Sequence, residues 1–320
     1  MNYEIGVFDI EQLGINGPEN KTLFFIGNGF DLFHGVKSRF KDFRNWLDSK
    51  GDQYEKFVYQ MEELFPLSDK HGNLLWADFE SALGKIDIAE IHTKYSGALN
   101  DDIYDEEYQK RAARHFRDIV SQIPVYLNEW ARDMNLTKVT PKLELSKDSL
   151  YLTFNYTLLL EQLYQIPQCQ ILHIHGSIDN QKPLITGHRE SFSMNGIDIR
   201  NNNIEKSYQL ISDEAESLRK PVDELIDANM SYFKSLGHIQ NVVVFGHSLS
   251  MIDMPYFKEV LHHVGDDAKW FFTYIDDVER NKAQEIVSCH NQSLHKVIGM
   301  DRYAKKMKEE NCKYINLNGE

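Results

Sequence analysis

Residues Leu23-Phe24-Phe25-Ile26 form an apolar run that ends directly in Gly27-Asn28-Gly29. No other stretch constrains the fold as much. Large apolar side chains on consecutive positions predict a strand buried on both faces. Such strands belong to parallel sheets covered by helices on each side. A glycine turn at the carboxyl end of the strand is also how these folds build phosphate sites. Gly27 allows the sharp turn, and Gly29, without a Cβ, lets the backbone come close to a ligand. Amide N–H groups at the start of the next helix then face an anion. The segment lacks the third glycine of GxGxxG and is not a GxxxxGK(S/T) loop, so a plain strand-to-loop turn is the competing reading.

Later segments repeat the pattern. SLYLTFNYT from Ser149, CQILHIHGS from Cys169, NVVVFGHSLS from Asn241 and AKWFFTYID from Ala268 each read as a short strand. LLLEQLYQI from Leu158 reads as a helix. Strands alternating with helices predict an α/β fold of Rossmann type, with a doubly wound, mostly parallel sheet. Phe40, Phe43, Trp46 and Leu47, then Phe57, Met61, Leu64 and Phe65, recur at helical spacing. A second such series runs from Phe116 to Trp130. Together they predict a large helical insertion over about 40–140. The polar stretch over about 190–235, with many Asn and Ser, reads as a second insertion or a lid. Residues 1–20 read as a tail or edge extension, 21–295 as the α/β domain, and 296–320 as a C-terminal extension.

Composition excludes several function classes. The 320 residues carry Asp+Glu 49 against Lys+Arg 35, a formal net charge of −14. Duplex nucleic acid is therefore not an expected partner, because affinity for it comes largely from neutralising phosphates. Cys169, Cys289 and Cys312 are far apart and include no CxxC pair. They make neither a disulfide framework nor a four-cysteine zinc site, and they fit a reducing cytoplasm. The first residues show no basic segment followed by an apolar one, so no secretory leader is expected. No apolar run is long enough to span a bilayer, so no membrane partner is expected.

In an open α/β sheet the ligand sits at the carboxyl ends of the strands. Those ends are Gly27-Asn28-Gly29-Phe30-Asp31, Thr153-Phe154-Asn155-Tyr156-Thr157, His173-Ile174-His175-Gly176-Ser177, Gly246-His247-Ser248-Leu249-Ser250 and Tyr274-Ile275-Asp276. Nearly all are small, amide, hydroxyl or imidazole groups. A purely structural sheet does not need this concentration. It points to a polar pocket for phosphates and sugar hydroxyls. Asn155 also fits a helix cap. His173 and His175 are two apart on one strand, so their side chains leave opposite faces, and His173 reads as structural. His173, His175, His188 and His247 could in principle hold a metal, but no HExxH or comparable pattern accompanies them, and none is expected. Trp76, Phe79 and Glu80 in LWADFE read as packing of the helical insertion.

GNGFDLFHG, LWADFESAL, TFNYTLLLEQLY, HIHGS, LITGHR and FGHSLSMIDMPYF, in that order, resemble the AbiH family of bacterial phage abortive-infection proteins. That family in turn is similar to the Sir2-like NAD-binding fold. Its order is a GAGxS turn, a T-x-N-Y/I-D motif with an L-L-E helix, an HG motif, and G-T/Y-S-L before the last strands. The resemblance implies an antiphage protein that binds NAD or a related ADP-ribosyl nucleotide and hydrolyses the N-glycosidic bond of NAD. It places Gly27, Asn28, Gly29 and Phe30 at the pyrophosphate turn, and Asn155 near the nicotinamide ribose and an attacking water. It makes His175 the general base. Gly246, His247 and Ser248 become the second nucleotide loop, with Asp276 near the adenosine end. Two departures stand out. Asp31 replaces a serine, and Thr157 replaces the aspartate of T-x-N-Y/I-D. The zinc cysteines of protein deacylases are absent, so deacylation is not expected, and Asp31 is the candidate carboxyl group. Two further classes are compatible with the same residues. One is a catalytically inactive nucleotide sensor. The other is an interaction component that docks a second defence protein or a phage trigger, as a homo-oligomer or otherwise.

Overall fold

A computed structural model of the chain describes residues 22–68, 75–96, 106–143, 145–179, 183–190, 202–274, 280–283 and 294–299. They fall into two compact units. The first takes in residues up to Ser38, Asp133–Lys182 and Pro221 onward, and the second takes in Arg39–Arg132 and Pro183–Lys220.

The first unit is built on an all-parallel sheet. Its strands are β1 (Thr22–Ile26), β2 (Leu150–Thr153), β3 (Ile171–His173), β4 (Asn241–Phe245), β5 (Lys269–Tyr274) and β6 (Leu294–Gly299). Their order is β3-β2-β1-β4-β5-β6. This is the doubly wound order of dinucleotide-binding folds, and it reverses between β1 and β4. The α/β, Rossmann-type architecture is therefore present.

β1 is buried along its whole length. Its continuous apolar run is divided by the pleat between two cores. Leu23 and Phe25 join Leu152, Val242, Val244, Trp270 and Phe272 on one face. There they meet residues of α10 (Val222–Ala228), α11 (Met230–Lys234) and α12 (Met254–His263). Phe24 and Ile26 join Tyr151, Val243 and Phe245 on the other face, against α1 (Asn28–Phe33) and α8 (Leu159–Tyr164). Phe25 lies level with Leu152 on one side and Val244 on the other. Burying one such side chain contributes roughly 1.5–3 kcal/mol.

β6 pairs in parallel with β5 after a register shift between Trp270 and Phe271. The domain end expected from the sequence, residue 295, falls inside this strand. LHKVIG has too few consecutive apolar or alternating positions to announce a strand by itself.

The second unit is helical. It contains α2 (Phe40–Asp48), α3 (Asp52–Leu64), α4 (Phe79–Leu83), α5 (Ile88–Tyr95), α6 (Glu106–Val120), α7 (Ile123–Asp133, save its last residue) and α9 (Asn202–Glu216). Trp76 and Phe79 are fully buried and stack with ring centroids 5.4 Å apart. The Trp76 indole N–H donates to Glu62 at 2.9 Å. α9 lies in the stretch read as an insertion or lid. It packs on α5 and α6, and a buried hydrogen bond of 2.9 Å joins His92 Nδ1 to Ser207 Oγ.

Candidate functional site

The site is assembled at the carboxyl ends of β1 to β4, beginning with two glycine loops. The Gly27 N–H donates to the Phe245 carbonyl at 3.0 Å, and the Gly29 N–H donates to the Gly246 carbonyl at 2.7 Å. A Cβ on Gly27 would stand 2.5 Å from His247 Cα, and one on Gly29 would stand 2.6 Å from Gly246 Cα. Gly246 has φ +62°, and its own Cβ would meet the Gly29 carbonyl carbon at 2.5 Å. The three glycines therefore let the loops after β1 and β4 cross in backbone contact where the strand order reverses. The space beside Gly29, expected from the sequence to admit a ligand, is filled by Gly246. The Phe30 amide donates to the Gly27 carbonyl at 3.0 Å. The Phe30 ring is wholly buried against His34, Tyr164 and Phe245, so its side chain belongs to the core and not to a ligand contact. Asn28 is exposed and forms a reciprocal pair with Ser38. Its Nδ2 donates to the Ser38 carbonyl at 2.9 Å, and its Oδ1 accepts from Ser38 Oγ at 2.5 Å.

Asp31 sits beneath this crossing, 1% exposed. Its two oxygens accept from Asn155 Nδ2 and from Thr157 Oγ1, each at 2.7 Å. Asn155 Nδ2 also lies 3.2 Å from the Gly27 carbonyl. The helix-cap reading of Asn155 does not hold. The N-cap of α8 is Leu158, and no side chain caps it. Thr157, standing where the Sir2-like pattern has an aspartate, gives its hydroxyl to the carboxyl group that stands where the pattern has a serine. A carboxyl–hydroxyl pair thus joins the segments after β1 and β2. Burial pushes the Asp31 carboxyl up from its ordinary 3.8 to about 6. The hydrogen bonds from Thr157 and Asn155, and the charge of nearby His173, act in the opposite direction. Asn155 Oδ1 is buried and accepts no hydrogen bond from the described residues.

His173 ties the strand ends together. Its Nδ1 lies 3.0 Å from the Asn155 carbonyl, which can only accept, so Nδ1 carries a proton. Its Nε2 lies 2.8 Å from Glu161 Oε1 on α8. That contact needs a second proton, on the ring or on the carboxyl group. His173 therefore braces β3, the β2 end and α8.

His175 and His247 meet over Phe154. Ring centroids are 5.2 Å apart for Phe154 with His175 and 4.5 Å for Phe154 with His247, both edge-on. Asp253, just before α12, faces both histidines. Its Oδ1 is 3.8 Å from His175 Nε2, and its Oδ2 is 3.7 Å from His247 Nε2. The Leu249 N–H donates to His247 Nδ1 at 2.9 Å. A neutral His247 then carries its proton on Nε2, pointed at Asp253. That nitrogen has no lone pair for a metal, and no group of three potential metal ligands occurs among the described residues. Leu249 has φ +53° although it is not glycine, so this loop holds a strained residue beside the histidine. Asp253 is not among the residues that the sequence pattern marks. It lies inside the FGHSLSMIDMPYF motif, but only the fold turns it toward two histidines from other loops.

Asn155 and His175 are thus anchored to different carboxylates, Asn155 to Asp31 and His175 to Asp253. Ser248 is exposed, and its carbonyl is 3.5 Å from Lys282 Nζ. Asp276 lies outside the described residues.

Two further motifs come together within the second unit. Glu80 of LWADFESAL pairs with Lys220 Nζ at 2.7 Å, with the Lys220 side chain 1% exposed. Glu80 also accepts from Thr186 Oγ1 of LITGHR at 3.1 Å. Gly187 has φ +156°, and a Cβ there would stand 2.2 Å from the Leu218 carbonyl oxygen. His188 is buried, with Nε2 3.1 Å from the Ala215 carbonyl. These residues build that unit, and the packing expectation for Trp76 and Phe79 agrees with their burial.

Residues 23–274 match the family model described as Bacteriophage abortive infection AbiH. No curated protein and no solved structure matches the chain.

Proposed function

We propose, for a chain that belongs to the AbiH family of bacteriophage abortive-infection proteins, that the strand-end site binds NAD and cleaves its N-glycosidic bond. Antiphage abortive infection is the function class of the family. Depletion of a nucleotide that the infected cell needs is a direct way to serve it. One observation carries the reading. In a sheet of dinucleotide-binding order, the ends of β1 to β4 carry two polar clusters, Asp31 with Asn155 and Thr157, and Asp253 with His175 and His247, at the strand ends where such folds bind ligands.

The residues fit the reaction. Water adds to C1′ of the nicotinamide ribose as the C–N bond breaks, and nicotinamide leaves as a neutral group. No strong acid is needed at the leaving group. The attacking water must lose a proton, and His175 takes it as general base. Asn155 Oδ1, a buried acceptor, holds a ribose hydroxyl or the water. Asp31 holds the Asn155 amide from behind, so that Oδ1 faces the ligand. Asp31 and Thr157 thus act on the substrate through Asn155. No metal enters the scheme.

Purified protein incubated with NAD is expected to release nicotinamide. His175→Ala and Asn155→Ala are each expected to remove most turnover, on the order of 10²–10⁴-fold, while keeping much of the NAD affinity. Full activity in a folded His175→Ala protein would sink the mechanism. A second reading is favoured by the burial of Asp31 and its bonds to Asn155 and Thr157, which hold polar groups in a closed arrangement. In it the site senses NAD or ADP-ribose without cleaving it. Binding without nicotinamide release, even in the presence of the infection trigger, would select it.

A further inference from the structure

Where the loops after β1 and β4 cross, backbone donors are spent inside the chain. The Gly27, Gly29 and Phe30 N–H groups donate to the carbonyls of Phe245, Gly246 and Gly27, at 3.0, 2.7 and 3.0 Å. The Gly246 N–H donates to Thr273 Oγ1 at 3.0 Å, and the Leu249 N–H donates to His247 Nδ1 at 2.9 Å. A phosphate cradle works the other way, with successive N–H groups turned toward the anion. The buried side-chain atom left unmet beside Gly27 is an acceptor. Asn155 Nδ2 faces the Gly27 carbonyl, which can only accept, so the orientation of the amide is fixed. Its Oδ1, on a residue 7% exposed, has no hydrogen-bond partner among the described residues. Asp31 and Asp253 add two buried carboxyl groups to the segments after β1 and β4.

We infer that the site recognises the nucleoside half of NAD, a ribose joined to a positively charged pyridinium ring, and takes the pyrophosphate without dedicated contacts. This rests on the function proposed above and names its substrate class, N-ribosyl pyridinium nucleosides with or without phosphate. Ribose hydroxyls can donate to Asn155 Oδ1, whereas the oxygens of a pyrophosphate diester only accept. Buried carboxyl groups attract a pyridinium charge and repel a phosphate. Lys282 Nζ, 3.5 Å from the Ser248 carbonyl, belongs to an exposed side chain, where water and salt weaken its pull on an anion. The reaction balances without the phosphates. The water oxygen bonds to C1′, the C1′–N bond breaks with its electron pair going to nicotinamide, and the water gives up one proton. Ribose takes the place of ADP-ribose as the second product.

The test compares nicotinamide release from NAD, nicotinamide mononucleotide and nicotinamide riboside. Calorimetry reads the binding of the same three and of inorganic pyrophosphate. Both kcat/KM and Kd for the riboside are expected within tenfold of the values for NAD, and pyrophosphate should not bind. Had the turn held the pyrophosphate, each charge-assisted hydrogen bond would contribute about 10–10²-fold, and the riboside would lose on the order of 10³-fold or more over three of them. Cleavage of NAD with the riboside more than tenfold poorer overturns the inference and leaves the hydrolase function standing. Pyrophosphate binding within tenfold of NAD also overturns it. Lys282→Gln should change neither substrate's turnover, and a tenfold loss for NAD alone would assign the phosphates to Lys282 and overturn the inference. Release from none of the three overturns the hydrolase function instead. Binding then decides: a riboside Kd within tenfold of that of NAD sustains the inference, and a riboside that binds more weakly or not at all overturns it.

Discussion

Gly29 separates what a glycine-rich turn can mean from what this one does. A ligand-facing glycine could be enlarged without harm to the empty protein. Here the space belongs to the Gly246 backbone, so Gly29→Val is expected to destabilise the ligand-free chain by about 3 kcal/mol through overpacking. Urea unfolding would measure it, and an unchanged midpoint would mean that the two loops do not cross as described. A second residue-scale prediction concerns acid. Asp31 is held near 6 against an ordinary 3.8, so its protonated form is favoured in the fold. The ionised form costs about 3 kcal/mol at neutral pH, and this cost is relieved as the pH falls from 6 toward 4. His34 works in the opposite sense. Its Nδ1–H donates to the Phe30 carbonyl at 2.7 Å, and its Nε2 accepts from the Tyr164 hydroxyl at 2.5 Å. Burial lowers its pKa from 6.5 to about 4, so its stabilisation is complete above 6.5 and is lost as the pH falls toward 4. The two slopes partly cancel in the wild-type chain. Asp31→Asn removes one of them, and its stability should fall more steeply between pH 6.5 and 4 than that of the wild type. Parallel curves would show that Asp31 titrates normally.

At the scale of elements, α8 ends on Gln165 with φ 55° and ψ 35°, a left-handed conformation that a glycine adopts without strain. Gln165→Gly should therefore stabilise the chain by about 1 kcal/mol, the typical relief of a left-handed residue with a Cβ. Calorimetry checks this, and a lower melting temperature would mean that the side chain contributes more than its strain costs. The same scale shows why some elements were legible and others were not. β1 and β4 were plain because each is a run of large apolar or β-branched residues ending in glycine, the mark of a strand buried on both faces. β6 was missed because LHKVIG takes its place from pairing with β5, a tertiary contact with no periodic trace. The sequence of α9 reads as a polar insertion because most of its residues are polar. Its packing on α5 and α6 defines it.

At the scale of the whole molecule, two binding experiments set the function class. A nucleotide that binds only the folded chain raises its stability by mass action, about 2.7 kcal/mol at a hundredfold excess over Kd. NAD or ADP-ribose should produce that shift. Random duplex DNA at physiological salt should not bind a chain of net charge −14. A tight, salt-sensitive DNA complex without an NAD shift would replace the nucleotide reading with a nucleic-acid one. No helix among the described residues is long and apolar enough to cross a membrane.

The sequence by itself determined the α/β class, the strand ends and the polar residues on them, since burial and period are written in consecutive side chains. Motif order also determined the family. Tertiary structure decided which of those residues are partners. It turned Gly29 to Gly246, Asn155 and Thr157 to Asp31, and His175 and His247 to Asp253. These pairs join positions between 6 and 217 residues apart in the chain, and most of them lie on different strand ends. No local pattern encodes such distances, because the contacts exist only once β1 to β4 are in register and their carboxyl ends lie side by side.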